Sequence, residues 1–118
     1  MHKKRFLELI ACDNTSEGDF ERYQLFYTIA CTDALYRRVN NIYDFENHQI
    51  KQTAIDSCQD STDYDDMMLK RSIHLYNRYR YEDIPTAPLL DKLDSSNCRT
   101  VINAQLIYSR LCNVLEVF

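Results

Sequence analysis

Glycine occurs once in this chain of 118 residues and proline twice, where average usage predicts about eight and about six. Both residues punctuate turns, hairpins and phosphate loops. Their shortage argues against a turn-rich β architecture and predicts helices joined by short polar links. Gly18 stands alone, which removes the Gly-rich phosphate-binding motifs. No run of about eighteen apolar residues occurs, so a membrane-spanning helix is not expected. Among Cys12, Cys31, Cys58, Cys98 and Cys112 no pair has the C-x-x-C spacing of a zinc or redox site. The five are read as reduced thiols, mostly small hydrophobes, in a cytoplasmic protein.

Basic residues are also the minority. Fourteen Lys plus Arg face eighteen Asp plus Glu, a net charge of −4. A general nucleic-acid binder needs a basic face, because phosphate contacts dominate affinity. At the N-terminus, Lys3-Lys4-Arg5 precede a short apolar stretch ending in Leu9-Ile10-Ala11-Cys12, which resembles a lipoprotein cleavage box. A signal peptide needs an apolar stretch of about seven to fifteen residues, and Glu8 interrupts this one. The expectation is an unprocessed cytosolic chain.

What is present suits a packed core. Apolar residues make up 45%, with nine Tyr and five Phe, enough to argue against disorder. The length fits one domain, residues 1–118. Helical spacing places Phe6, Leu9 and Ile10 on one face of a helix over 2–11. The segment 13–18 reads as a loop, and Asp19 caps a second helix with Phe20, Tyr23, Tyr27, Ala30 and Ala34 on one side. Either Thr32-Asp33 caps a further helix carrying Leu35, Val39, Ile42 and Tyr43, or the preceding helix runs straight through. Residues 44–61 are the least regular, with one helical turn around 50–55. Ser61 or Thr62 then caps a helix running from Asp63 through Leu69, Ile73 and Tyr76 to Arg80, its first turn acidic as the helix dipole favours. Ile84 to Pro88 ends it, and one or two short turns follow over Leu89–Leu93. Ser95 or Ser96 caps a last helix through Val101, Ala104, Tyr108, Leu111 and Leu115, which reads as the central core helix. The expected fold is all-α, a compact bundle of about five helices with no strand.

Several constellations carry candidate chemistry. The stretch Asp56 to Asp66 holds five Asp and no basic residue; it would dock a basic partner, and its bland reading is a solvated loop running into an acidic helix start. It lacks the mid-loop Gly and bidentate Glu of a calcium loop. Asp44, Glu46 and His48 group two carboxylates with an imidazole, but a metal or catalytic site needs a further ligand from elsewhere. The plainer reading has Asp44 capping a turn and His48 on the surface. His74 reads as a half-buried, hydrogen-bonded histidine. Asn77 and Asn103 fall inside helices, where a buried hydrogen bond would compensate for poor propensity. Tyr76, Arg78, Tyr79, Arg80 and Tyr81 interleave aromatic and basic side chains, the composition of a single-stranded nucleic-acid surface. No Ser or Cys has a motif that sets it against a histidine.

The segments Leu25-Phe26-Tyr27, Leu35-Tyr36, Val39 to Phe45 and Leu75-Tyr76-Asn77 also carry a resemblance. With their I-Y-D-F and L-Y-N stretches they resemble a small family of uncharacterised proteins from Gram-positive bacteria and their mobile elements. Leu93-Asp94 and Asn103-Ala104 match later parts of the pattern, so the likeness spans roughly residues 19–107. It departs at Ala30-Cys31 and Asp63-Tyr64, where members carry Gly and Ser. The resemblance implies a bacterial cytosolic origin and an association with phages or other mobile elements. It carries over no activity.

The expected function is therefore a non-enzymatic protein-binding module, an inhibitor or regulator of a protein partner. Its binding residues are Asp60, Asp63, Tyr64, Asp65 and Asp66. The alternative is a nucleic-acid-associated factor using Arg71, Arg78, Tyr79 and Arg80. Neither reading requires a catalytic residue, cofactor, metal or membrane. Broad apolar faces on the second and last helices would also suit a homodimer.

Overall fold

A computed structural model describes residues 1–77 and 86–118, with the side chains of all but 77 and 86–88. The expected positions Arg78, Tyr79, Arg80 and Tyr81, residues 84–85 of the expected 84–88 helix stop and the Asn77 side chain lie outside the described residues; 86–88, expected in that stop, instead open a helix. The fold is all-α. In order come α1 (His2–Asp13), α2 (Phe20–Cys31), α3 (Asp33–Arg37) and α4 (Val39–Ile42). A two-residue hairpin follows, β1 (Tyr43–Asp44) with β2 (Gln49–Ile50). The chain then forms α5 (Gln52–Gln59), α6 (Tyr64–Asn77), α7 (Thr86–Lys92) and α8 (Ser95–Tyr108). A radius of gyration of 13.0 Å matches one compact body of this length, about 13–14 Å.

The central helix is α2, not the last one. Asp19 caps it by accepting the Arg22 N–H, and from Gln24 to Ala30 every residue is buried, so no face is left for solvent. It packs against α1, α6 and α8. Its interior polar groups are satisfied locally, as burial demands. Gln24 donates to the Ser72 carbonyl and accepts from the Ser72 hydroxyl, both at 2.8 Å. Thr28 and Thr32 return their hydroxyls to the carbonyls of Gln24 and Thr28. Thr32 thus stands ahead of α3 in extended backbone but does not cap it. Phe26, with no exposed surface, stacks on Phe45 and meets the Tyr43 ring edge-on at 5.1 Å.

Three helix or turn ends explain how a chain with one glycine turns corners. Asn14, His48 and Arg110 take left-handed backbone at φ 54°, 56° and 59°, a region glycine normally fills. After α1, Asn14 and Thr15 send their N–H groups back to Ala11 and Ile10. After α8, Arg110 and Leu111 return theirs to Ile107 and Leu106. Both are helix stops of the Schellman kind. The last helix therefore ends at Tyr108, leaving Leu111 and Leu115 exposed on the tail, Leu115 within a 3-10 turn over Val114–Glu116. Its cap is Asp94, which accepts the Asn97 N–H at 2.8 Å, rather than Ser95 or Ser96. The hairpin was unexpected because two residues per strand show no alternation to read. Its turn is set by Asp44, whose carboxylate takes the N–H groups of Glu46 and Asn47.

Candidate functional site

The acidic corner lies where α5 ends and α6 begins. Asp60 is the exposed residue closing α5. The Ser61 hydroxyl accepts the Asp63 N–H and donates to Asp66 at 2.7 Å, and the Asp63 carboxylate takes the Asp65 N–H. These bonds fold 61–66 into a cap for α6, which is why Ser and Asp crowd there. Lys70 donates to the Gln59 carbonyl at 2.9 Å and ties the corner to the side of α6.

The five expected contact residues divide into two kinds. Asp66 is engaged inside the fold: it pairs with Arg38 between α3 and α4. Burial would raise its carboxyl, but the bonds from Arg38 and Ser61 and the Arg38 charge hold it below the ordinary value. Asp60, Asp63, Tyr64 and Asp65 point outward or partly so, Tyr64 with 47% of its surface exposed. Among the described residues none of these three aspartates makes an ion pair. The Asp65 carboxyl is pushed up, first by burial and then by the Asp63 charge, with Arg38 opposing and Asp66 adding. Its charge is under-compensated in the free chain.

The nucleic-acid alternative has one described residue, Arg71. It turns inward, donating to Gln105 at 2.7 Å, and burial lowers its pKa. Asn103 donates to the Tyr27 hydroxyl at 3.0 Å, the compensating bond expected of a mid-helix asparagine. His74 is partly buried.

A second cluster joins residues that the sequence keeps far apart. Asp13, 2% exposed at the end of α1, accepts from Thr15 at 2.6 Å and from the Tyr43 hydroxyl at 2.6 Å. His48 Nδ1 lies 2.9 Å from its Oδ1, and Arg22 Nε stands 3.5 Å from Oδ2. Arg22 also donates to the Tyr43 oxygen, to Asp19 and to the His48 carbonyl. Burial would raise the Asp13 carboxyl; the three side-chain bonds and the Arg22 charge outweigh it and hold the group low. Burial and the bond to Asp13 push the Tyr43 phenol well above its usual range. Arg22 lies over the Tyr76 ring, 5.5 Å from its centre. The cluster thus locks α1, α2, the hairpin and α6 together, and it orients the half-exposed His48 imidazole through Nδ1.

As the plainer reading of the sequence has it, Asp44 caps the turn and His48 stays half exposed; its pairing with Asp13 is the part that sequence did not show. Asp13 was legible only as part of a loop, although it follows Phe6 and Leu9 at helical spacing. Among the described residues no group of three or more His, Cys, Asp or Glu is placed to hold a metal ion, and no helix is long and apolar enough to cross a membrane.

A family model described as a family of unknown function (DUF6075) matches residues 1–112. The chain belongs to this family. The match takes in the acidic corner, the Asp13 cluster and α1 to α8. No curated protein and no solved structure matches the chain.

Proposed function

We propose that the protein is a non-enzymatic binding module, which docks a basic segment of a protein partner on the corner between α5 and α6. One observation carries this reading. Asp60, Asp63 and Asp65 present carboxylates without ionic partners among the described residues, and the Asp65 charge is disfavoured where it stands. A lysine or arginine from a partner would relieve that cost, which makes association more favourable than the bare Coulomb attraction of a solvated pair. Tyr64 adds an exposed ring between them, the residue type that anchors interfaces. The Asp66–Arg38 pair and the Ser61 bonds hold the corner in one shape, so little order has to be gained on binding. On this reading the protein serves as an inhibitor or regulator, encoded by a phage or another mobile element of a Gram-positive host and acting in the cytoplasm.

The test is a charge reversal that spares Asp66. Asp60→Lys, Asp63→Lys and Asp65→Lys together should abolish capture of the partner while the circular dichroism spectrum stays unchanged. Retained capture by this folded triple variant would refute the reading.

A further inference from the structure

Between the start of α1, the middle of α2, the first half of α8 and the C-terminal tail lies an open cavity of about 530 Å³. That volume is in the range of small-molecule sites, roughly 300–1,000 Å³. Its floor is aromatic. Tyr27 is buried at 3% exposure, and the Phe118 ring lies 5.1 Å from it, tilted by 59°. Its rim is basic: His2 and Lys3 come from α1, and Arg99 from α8.

The sign of the rim is the informative feature. The chain carries a net charge of −4, yet the cavity lining holds three basic side chains and no acidic one. Arg5, Arg22 and Arg38 each pair with an aspartate, whereas Lys3 and Arg99 make no ion pair among the described residues. The N-terminus of α8 is already capped by Asp94, so anion recognition falls to the side chains and not to the helix dipole. At the floor the Tyr27 hydroxyl accepts from Asn103, and burial raises its pKa to about 12. The Cys31 thiol beside it is raised to about 11. Both stay neutral at physiological pH.

We infer that this cavity binds a small amphipathic anion, with an aromatic or apolar body on Tyr27 and Phe118 and a phosphate or carboxylate between Lys3 and Arg99. The site is separate from the acidic corner and stands whether or not that corner docks a protein.

Titration of ¹⁵N-labelled protein with phenyl phosphate, benzoate and phenol tests the assignment. Phenyl phosphate or benzoate should shift the amides of Lys3, Tyr27, Arg99 and Phe118 saturably, and the two probes rank the head groups. Phenol, with the same ring and no charge, should bind at least about tenfold more weakly. The exposed double variant Lys3→Glu/Arg99→Glu should lose tenfold or more in affinity for the anions while its spectrum stays folded. Three results would overturn the assignment: phenol binding as tightly as the anions, affinity unchanged in the double variant, or shifts centred on other residues.

Discussion

Replacing Asp13 with Asn keeps the shape of the side chain and removes its charge. Three donors and one guanidinium converge on this carboxylate, from Thr15, Tyr43, His48 and Arg22. The amide offers one oxygen where the carboxylate offered two, and it presents an N–H₂ to groups that are themselves donating. Removing one member of a buried charge pair costs about 3–5 kcal/mol, because the remaining partner stays desolvated. Arg22 keeps Asp19, which places the expected loss nearer about 3 kcal/mol on the same scale. Against a total stability of about 5–15 kcal/mol for a single domain, that is a large fraction. At this chain length about 1 kcal/mol shifts the melting temperature by about 4 °C, so the midpoint should fall by about 12 °C. Thermal and urea denaturation followed by circular dichroism measure it. Tyr43→Phe supplies the other corner of a double-mutant cycle. If the two side chains share one network, the coupling should exceed about 1 kcal/mol. A loss below about 1 kcal/mol for Asp13→Asn, or additive effects in the cycle, would show that water substitutes for the network and that the argument from burial is wrong.

Other outcomes follow from the same geometry. Asp13 and Asp66 are both held below the ordinary carboxylate value of 3.8, so their stabilisation is complete above that pH and lost as acid carries it through the lower folded values. Asp65 is shifted the opposite way; Asp65→Asn should raise the melting temperature at pH 7, with the gain vanishing in acid below pH 3.8. Burial raises the Cys58 thiol to about 11, leaving about a thousandth of it as thiolate at pH 8. Iodoacetamide followed by peptide mass mapping should therefore modify the exposed Cys12 long before Cys58. Phe26→Ala, at a fully buried ring packed on Tyr43 and Phe45, should cost about 3–5 kcal/mol in the same urea assay.

Much of the fold was legible because helical periodicity is a repeated, local signal. Phe6 with Leu9, and Leu69 with Ile73 and Tyr76, mark their buried faces directly. The ends were harder, and for a specific reason. Helix stops are usually announced by glycine, and here Asn14 and Arg110 take that backbone, so the last helix read as running on to Leu115. The hairpin hid because four residues of strand carry no period, although Asp44 was recognisable as a turn cap. The acidic corner was visible as composition, but composition did not distinguish Asp66, committed to Arg38, from Asp60, Asp63 and Asp65. That distinction is tertiary, since Arg38 lies 28 positions away. The Asp13 cluster was the least legible. Its members come from separate elements: Asp13 and Thr15 read as loop residues, His48 as a surface residue and Tyr43 as part of an apolar helix face, and nothing local links them.

The measurement that tests the central claim most directly is quantitative partner capture at physiological salt, with wild type and the Asp60→Lys/Asp63→Lys/Asp65→Lys variant side by side. The account predicts one stoichiometric protein held by the wild type, weakened by added salt and lost in the folded variant. The same protein captured equally by both would contradict it.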